Sequence, residues 1–286
     1  MAEFAFDESG RWLAWVVDAD GKAGNGIQLR DMETGVIRVL ESDEARYSRL
    51  AWAEEGLALS ALKGVEDEGF EDPLYSVLGW TGIDSRNGPT KILFDPAAAE
   101  GFPEGMTVSP NYSPRWSKPL DAFFFGIHEV EAKEDTKASA GDEEEEGPTE
   151  GGEEEEEGDD PRRPSRSGSD EIDDDEKPEL VLWHWQEPRL QAMQQVQAGR
   201  DRNFSYLSVY WPGEYRFVRQ ADDEVDQISP APEGKWAVGS GDAKYELMGN
   251  LDGRRYRDIY AVDMSRGYRQ LIVEKSRWAY DISPDG

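Results

Sequence analysis

Residues 229–273 read SPAPEGKWAVGSGDAKYELMGNLDGRRYRDIYAVDMSRGYRQLIV, and this stretch decides the fold. A polar turn at 229–234 leads into the apolar run Lys235–Ser240, which has the length and composition of a strand. A second run, Arg257–Asp263, is joined to a third, Tyr268–Val273, by a turn of the form Asp-x-x-x-Gly that ends at Gly267. Glycine takes the positive φ that other residues resist in such turns. The stretch therefore predicts a strand followed by a β-hairpin.

The same pattern recurs along the chain. Similar turn-plus-strand units occupy residues 6–15, 52–59, 113–126 and 283–286, and a second hairpin with the Asp-x-x-x-Gly turn lies at Gly26–Leu40. Gly10 and Gly56 are 46 residues apart, and Gly234 and Gly286 are 52 apart. Propeller repeats have periods of ~40–50 residues. The pattern predicts an all-β propeller of four-stranded antiparallel blades, with a sandwich of unrelated hairpins as the alternative.

The repeats place about four blades, at 4–46, 47–105, 106–220 and 221–275, and the start of another. As domains, residues 1–132 hold blades one, two and the first part of three. Residues 133–178 form an insert, and 179–286 hold the rest. The sequence stops directly after the turn at 283–286, which should lead into a new inner strand. An inner strand without the rest of its blade would leave backbone groups unpaired. We therefore expect an incomplete propeller from a longer protein, although both termini could instead complete one blade. One helical turn is expected at Pro188–Gln195.

The formal net charge of −31 is concentrated in one segment. Residues 129–179 contain 24 acidic and 6 basic residues and few large apolar ones. Such a composition does not repay the entropy of ordering, so a disordered loop within blade three is expected. It can act as a solvating spacer, a contact for a partner or a metal site, and the sequence favours the spacer. Nucleic acids and anionic membranes are disfavoured as partners because they repel acidic chains.

Neither end of the chain contains a recognisable export signal or membrane span. The first residues lack a basic start and a continuous apolar run, and no stretch approaches the ~20 apolar residues that cross a bilayer. As written, the chain is expected to be soluble and cytoplasmic. A periplasmic location is the alternative if an N-terminal signal has been lost.

Catalytic motifs are missing from the sequence. The chain has no Cys and two His, His128 and His184, and no Gly-x-Ser-x-Gly elbow. The nearest fragment, Gly239–Asp242, is interpreted as a turn. There is no phosphate-binding loop and no His-x-x-x-His pair. We therefore predict no catalytic residue, no cofactor and no metal in this chain.

Two groups of side chains are candidates for contact with a peptide or a docked domain. The first is basic, Arg254, Arg255 and Arg257, which could hold a carboxylate. The second is aromatic, Trp183 and Trp185, in a cluster with His184, Phe204, Tyr206, Tyr210 and Trp211. The alternatives are a solvated strand start for the arginines and packing between blades for the tryptophans.

Three stretches resemble the N-terminal propeller of bacterial members of the prolyl oligopeptidase family of serine peptidases. They are LVLWHWQEPRLQ at 180–191, YELMGNLDGRRYRDIY at 245–260 and SPDG at 283–286. The last resembles strand starts shared with TolB-like propellers. In that family the propeller caps an α/β-hydrolase domain, admits substrates by size and orients the peptide. The resemblance implies that the Ser, Asp and His of the triad lie in the hydrolase domain, which this chain lacks.

Three functions remain open from the sequence. The first is the non-catalytic, substrate-gating and docking portion of such a peptidase. The second is a stand-alone propeller scaffold that binds a protein or peptide. The third is a metal-dependent lyase or hydrolase propeller, which the scarcity of His disfavours. No cofactor is expected for the first two, and the expected partner is the hydrolase domain or a peptide ligand.

Overall fold

The computed structural model describes residues 3–19, 21–130, 133, 189, 191–231, 234–278 and 283. They form four antiparallel sheets, each built from consecutive strands. Blade one contains β1 (Phe4–Phe6), β2 (Trp12–Val17), β3 (Gly26–Asp31) and β4 (Ile37–Ser42). Blade two contains β5 (Arg46–Trp52), β6 (Ala58–Val65), β7 (Leu74–Thr81) and β8 (Thr90–Phe94). The all-β fold class is thereby confirmed.

Blade three differs from the others by an additional strand. It contains β10 (Arg115–Trp116), β11 (Phe123–Glu129), β12 (Tyr206–Trp211) and β13 (Arg216–Arg219), and β9 (Met106–Val108) also pairs with β11. Because β11 pairs directly with β12, the chain between residues 129 and 206 leaves and rejoins the same sheet. The predicted acidic insert belongs to this connection. Apart from Lys133, it lies outside the described residues.

Blade four contains β14 (Gln227–Pro230), β15 (Trp236–Gly241), β16 (Arg257–Asp263) and β17 (Tyr268–Ser276). In the described part of the chain, two α-helices accompany the sheets, α1 (Gln191–Arg202) and α2 (Glu246–Asp252), with short 3-10 helices at Pro96–Ala98 and Ala243–Tyr245. Within the described ranges, no helix combines the length and the apolar character that a membrane crossing requires. The expected start of a fifth blade falls mostly outside those ranges.

The Asp-x-x-x-Gly turns form as the sequence predicts. In blade one, the Asp31 carboxylate accepts the N–H of Glu33 at 2.9 Å, and Gly35 has φ 75°. In blade four, Asp263 accepts the N–H of Ser265 at 2.9 Å, and Gly267 has φ 69°. An acidic side chain that caps its own turn, followed by a residue with positive φ, fixes the register of each hairpin.

The apolar core lies between consecutive blades. Alternate residues of one strand point to opposite faces of its sheet. Phe123 and Phe125 of β11 therefore pack with Phe94 of blade two, while Phe124 packs with Tyr260 of blade four. A third cluster joins Trp12 and neighbours of blade one to blade two. Full burial of such a side chain contributes ~2 kcal/mol, so these interfaces supply most of the stabilisation.

Two local predictions are corrected by the structure, one at Gly239–Asp242 and one at Pro188–Gln195. Gly239 and Gly241 lie in β15, not in a turn, and two short helical segments follow them. A Cβ on Gly241 would lie 1.8 Å from the carbonyl oxygen of Glu224. These glycines therefore allow a close backbone approach. The helix expected at Pro188–Gln195 is α1, and its described span is Gln191–Arg202.

Candidate functional site

A cavity of about 510 Å³ lies between blades three and four. It is placed where β12, β14 and β16 begin and β15 ends, and both α-helices contribute to its walls. Its described lining is charged or aromatic for the most part: Arg189, Arg200, Arg255, Arg257, Asp201, Asp223, Asp226, Asp242, Glu246, Phe204, Tyr206, Tyr245 and Tyr256. Ser, Cys, Thr and His are missing from the described lining. The cavity is thus built for binding polar groups.

The structure brings two of the predicted contact residues into this cavity. Arg255 and Arg257 line it, at the start of β16. Arg254 is on the same loop and is exposed, but it does not line the cavity among the described residues. Trp183 and Trp185 lie outside the described part of the chain. A role in contacting a ligand stays a prediction for all five.

A buried carboxylate, Asp258, holds one wall of the cavity in place. Its side chain is 3% exposed and accepts the Tyr245 hydroxyl at 2.7 Å, the Lys244 ammonium at 3.1 Å and the Lys275 N–H at 2.9 Å. Burial alone would raise the pKa of Asp258, but these hydrogen bonds outweigh it and lower the pKa. The segment that leads into α2 is thereby fixed to β16.

A second set of contacts joins the two helices. Arg189 donates from Nε to Glu246 of α2 and from Nη1 to Asp201 of α1, both at 2.5 Å. These hydrogen bonds raise the pKa of the Arg189 guanidinium further above its ordinary value, Glu246 being the main cause. A guanidinium that donates hydrogen bonds to a carboxylate on each helix sets the distance between the helices. Part of the cavity lining is therefore held by an ion-pair network.

Aromatic rings supply the apolar part of the wall. The Phe204 and Tyr206 rings meet edge to face at 5.0 Å, and Tyr245 and Tyr256 are 6.2 Å apart. Tyr206 donates its hydroxyl to Asp223, and burial together with this hydrogen bond raises the pKa of Tyr206 to about 12. The phenol therefore stays neutral at physiological pH, and the Arg219 guanidinium lies over its ring at 4.5 Å from the centroid.

Asp226 and Asp242 form an acidic corner of the cavity. Burial raises the pKa of Asp226, the negative charge of Asp242 raises it further, and the Arg200 guanidinium lowers it in part. Two carboxylates that share a half-buried region favour a cationic group or a proton between them. Within the described residues, no cluster of three or more metal-ligating side chains accompanies this corner.

Asp226→Asn is expected to raise the free energy of unfolding at pH 7. When the pKa of a carboxyl is raised on folding, the free energy of unfolding falls as the pH rises through that raised pKa. A neutral amide at this position removes the loss. As the pH falls below the ordinary Asp pKa of about 3.9, the carboxyl becomes protonated in both states and the gain should fall towards zero. Urea unfolding at pH 3.5 and pH 7 measures it. Glu54→Gln, at an exposed position, is the control, and an equal gain at both pH values would contradict the prediction.

Sequence reasoning identified Arg255 and Arg257, and it named Phe204 and Tyr206 in an aromatic cluster, but it missed Arg189, Arg200 and the acids of the cavity. Asp226 and Asp242 follow no motif spacing. Tyr245 lies in the stretch at 245–260 that resembles the peptidase propeller. That stretch was the only local signal for this wall of the cavity.

Similarity to known proteins is confined to solved structures. No family model matches the sequence, and no curated protein matches it. Among solved structures, a prolyl endopeptidase aligns over 96% of this chain and 28% of its own length, at 12% identity and a TM-score of 0.40. A puromycin-hydrolyzing peptidase of Mycobacterium tuberculosis aligns over 97% of this chain and 29% of its own, at 11% identity and a TM-score of 0.36.

A TolB protein of Agrobacterium tumefaciens is a third similar structure. It aligns over 94% of this chain and 63% of its own length, at 11% identity and a TM-score of 0.36. This chain thus spans between about a quarter and two thirds of the structures it resembles. TM-scores of this size decide neither family nor activity. The architecture is that of antiparallel propeller blades.

Proposed function

We propose that this chain is the non-catalytic propeller portion of a prolyl-oligopeptidase-like serine peptidase. In this role it docks to an α/β-hydrolase domain, limits access by size and holds one end of a peptide in the cavity between blades three and four. The observation that carries the proposal is the lining of that cavity. It offers guanidinium groups, carboxylates and aromatic rings, which are groups that bind the charged ends and apolar side chains of a peptide.

The charges of the cavity match the groups at the ends of a peptide. Arg255 and Arg257 suit a carboxylate, because guanidinium groups bind carboxylates through charge-assisted hydrogen bonds. The corner formed by Asp226 and Asp242 suits an amine. The rings of Tyr245 and Tyr256 can cover the apolar atoms between them. A cavity of about 510 Å³ is in the usual size range for small-ligand sites, so it accepts a peptide end and excludes a folded protein.

Binding of a short peptide tests the cavity. The peptide Ala-Ala-Pro-Phe with free ends should bind wild-type protein at least tenfold more tightly than the Arg255→Ala/Arg257→Ala double variant. Amidation of the peptide's carboxyl end should cause a similar loss in wild type and little further loss in the double variant. Isothermal titration calorimetry measures both.

Arg254→Ala is the matched control for this measurement, since Arg254 is on the same loop and outside the described cavity lining. Its affinity for the peptide should stay within twofold of wild type. Equal weakening by Arg254→Ala would show that the general positive charge of the loop attracts the peptide. In that case the cavity would not be the site that binds the peptide.

The gene beyond codon 286 tests the peptidase assignment separately. We expect it to encode further blades and a Gly-x-Ser-x-Gly elbow between a strand and a helix. A stop codon directly after Gly286 would overturn this part. It would leave the stand-alone scaffold that binds a protein or peptide, which uses the same cavity.

A further inference from the structure

Two carboxylates and two guanidinium groups of the cavity form no ion pair within the described residues. The carboxylates are Asp226 and Asp242 of the acidic corner. The guanidinium groups are those of Arg255 and Arg257, which we call the β16 arginines. The Arg200 guanidinium is close enough to lower the pKa of Asp226 in part, so it offsets one of the two negative charges. One negative charge of the corner and both β16 arginines therefore remain for a ligand.

The other acidic groups of the described lining already have partners. Asp201 and Glu246 accept hydrogen bonds from Arg189, and Asp223 accepts the Tyr206 hydroxyl. Hydrogen bonds to an ionised group are stronger than neutral ones, so these acids are held in place. A ligand therefore meets the acidic corner and the β16 arginines without having to break an ion pair.

The strand register places these charges along one end of blade four. Gly241 of β15 pairs with Asp258 of β16, and Asp242 and Arg257 are the next residues towards that end. Asp226 directly precedes β14, which pairs with β15. Since neighbouring strands are ~4.8 Å apart, the backbone of Arg257 is about one strand spacing from Asp242 and two from Asp226. The charged atoms form no ion pair, so a gap wider than ~4 Å separates the opposite charges.

The size of the cavity limits the length of a ligand that bridges this gap. A compact volume of 510 Å³ is ~10 Å across. An extended peptide spans ~3.4 Å per residue, which gives about 7 Å for a dipeptide, 10 Å for a tripeptide and 14 Å for a tetrapeptide. A dipeptide or tripeptide therefore reaches the acidic corner and the β16 arginines at the same time. A longer peptide places only one of its ends in the cavity.

We propose that the cavity selects free dipeptides and tripeptides, binding the amine of one molecule at the acidic corner and its carboxylate at the β16 arginines. This inference rests on the proposed peptide site and names its ligands. Once one end is bound, the other end is held at a high effective concentration, so the second contact adds affinity. The rings of Tyr245 and Tyr256, 6.2 Å apart, cover the apolar atoms between the two ends.

Peptides of two lengths, each with a free and an acetylated amine, test this inference. In isothermal titration calorimetry of the whole chain at pH 7, Ala-Ala-Phe should bind at least tenfold more tightly than Ala-Ala-Ala-Ala-Ala-Phe. Acetylation should weaken the tripeptide at least tenfold and the hexapeptide less than twofold, because the amine of the hexapeptide does not reach the corner while its carboxylate is bound. Equal effects of acetylation on the two peptides would overturn the inference.

The double variant Asp226→Asn/Asp242→Asn locates the amine. It should bind the tripeptide at least tenfold more weakly than wild type and the hexapeptide within twofold, and acetylation should no longer matter for either. Glu224→Gln is the matched control, since Glu224 is on the same loop, is 62% exposed and is outside the described lining. The control should bind the tripeptide within twofold of wild type. Equal weakening by the control would show attraction to the general negative charge of the loop and would overturn the inference.

Failure of this inference and failure of the proposed function give different results. The hexapeptide could bind as tightly as the tripeptide and still require its carboxyl end and the β16 arginines. That result would leave the proposed function in place and overturn the selection of short peptides. Absence of binding by every peptide would overturn both. Circular dichroism and thermal melting should show that the variants keep the wild-type fold.

Discussion

Asp258→Ala is expected to lower the free energy of unfolding by about 3 kcal/mol, because removing one partner of a buried charge network leaves the others without compensation. The Tyr245 hydroxyl, the Lys244 ammonium and the Lys275 N–H would all lose the carboxylate that accepts them. Lys275 also has φ 52°, a strained value for a residue with a side chain, and the N–H contact helps to hold it there.

Urea unfolding at pH 7 and at lower pH checks this expectation. The pKa of Asp258 is lowered on folding, so its contribution is complete above the ordinary carboxyl pKa and is lost as the pH falls through the lowered one. The difference between wild type and Asp258→Ala should therefore narrow below about pH 4.

Glu224→Ala is the control for Asp258→Ala. Glu224 is the other acidic partner of Lys244, at 3.2 Å, and its side chain is 62% exposed. An exposed ion pair contributes less than ~1 kcal/mol, so this variant should be close to wild type. Equal losses in the two variants would show that Lys244 pairing, and not the buried carboxylate, carries the effect.

Gly241→Ala is expected to destabilise the protein by about 3 kcal/mol, at the upper end of the usual cost of overpacking. The new methyl would lie 1.8 Å from the carbonyl oxygen of Glu224, and a backbone atom cannot rotate away as a side chain does. The loop before β14 would have to move, and Asp226 of the acidic corner belongs to that loop. Peptide binding in the cavity should weaken in parallel.

Gly199→Ala is the matched control and should act in the opposite direction. Gly199 lies in α1, and a Cβ there would meet nothing within 4 Å. Alanine is favoured over glycine in a helix by up to ~1 kcal/mol, so this variant should be more stable than wild type. Thermal melting of both variants compares them. A Gly241→Ala protein as stable as wild type would contradict the close approach.

The sequence was sufficient to predict four-stranded antiparallel sheets, but not the additional strand β9 of blade three. Hairpins at Asp31–Gly35 and Asp263–Gly267 could be located because a capping carboxylate and a glycine with positive φ act within five residues. Blade three could be recognised from Phe123–Ile127, where residues on both faces are apolar. The helix α2 was missed, because its position depends on Asp258 and Lys244 from different parts of blade four.

The sequence alone determined where hairpins form, because the alternation of apolar residues and the chemistry of turns act over a few residues. Tertiary structure alone decided the rest. The sequence placed Gly241 in a turn, whereas it lies in β15. The close approach of the Glu224 backbone explains why this position is glycine. Phe4 and Val39 have the same apolar character as core residues, and only the arrangement of the blades leaves them exposed. Burial depends on which surfaces meet, and that is settled by contacts between residues far apart in the chain.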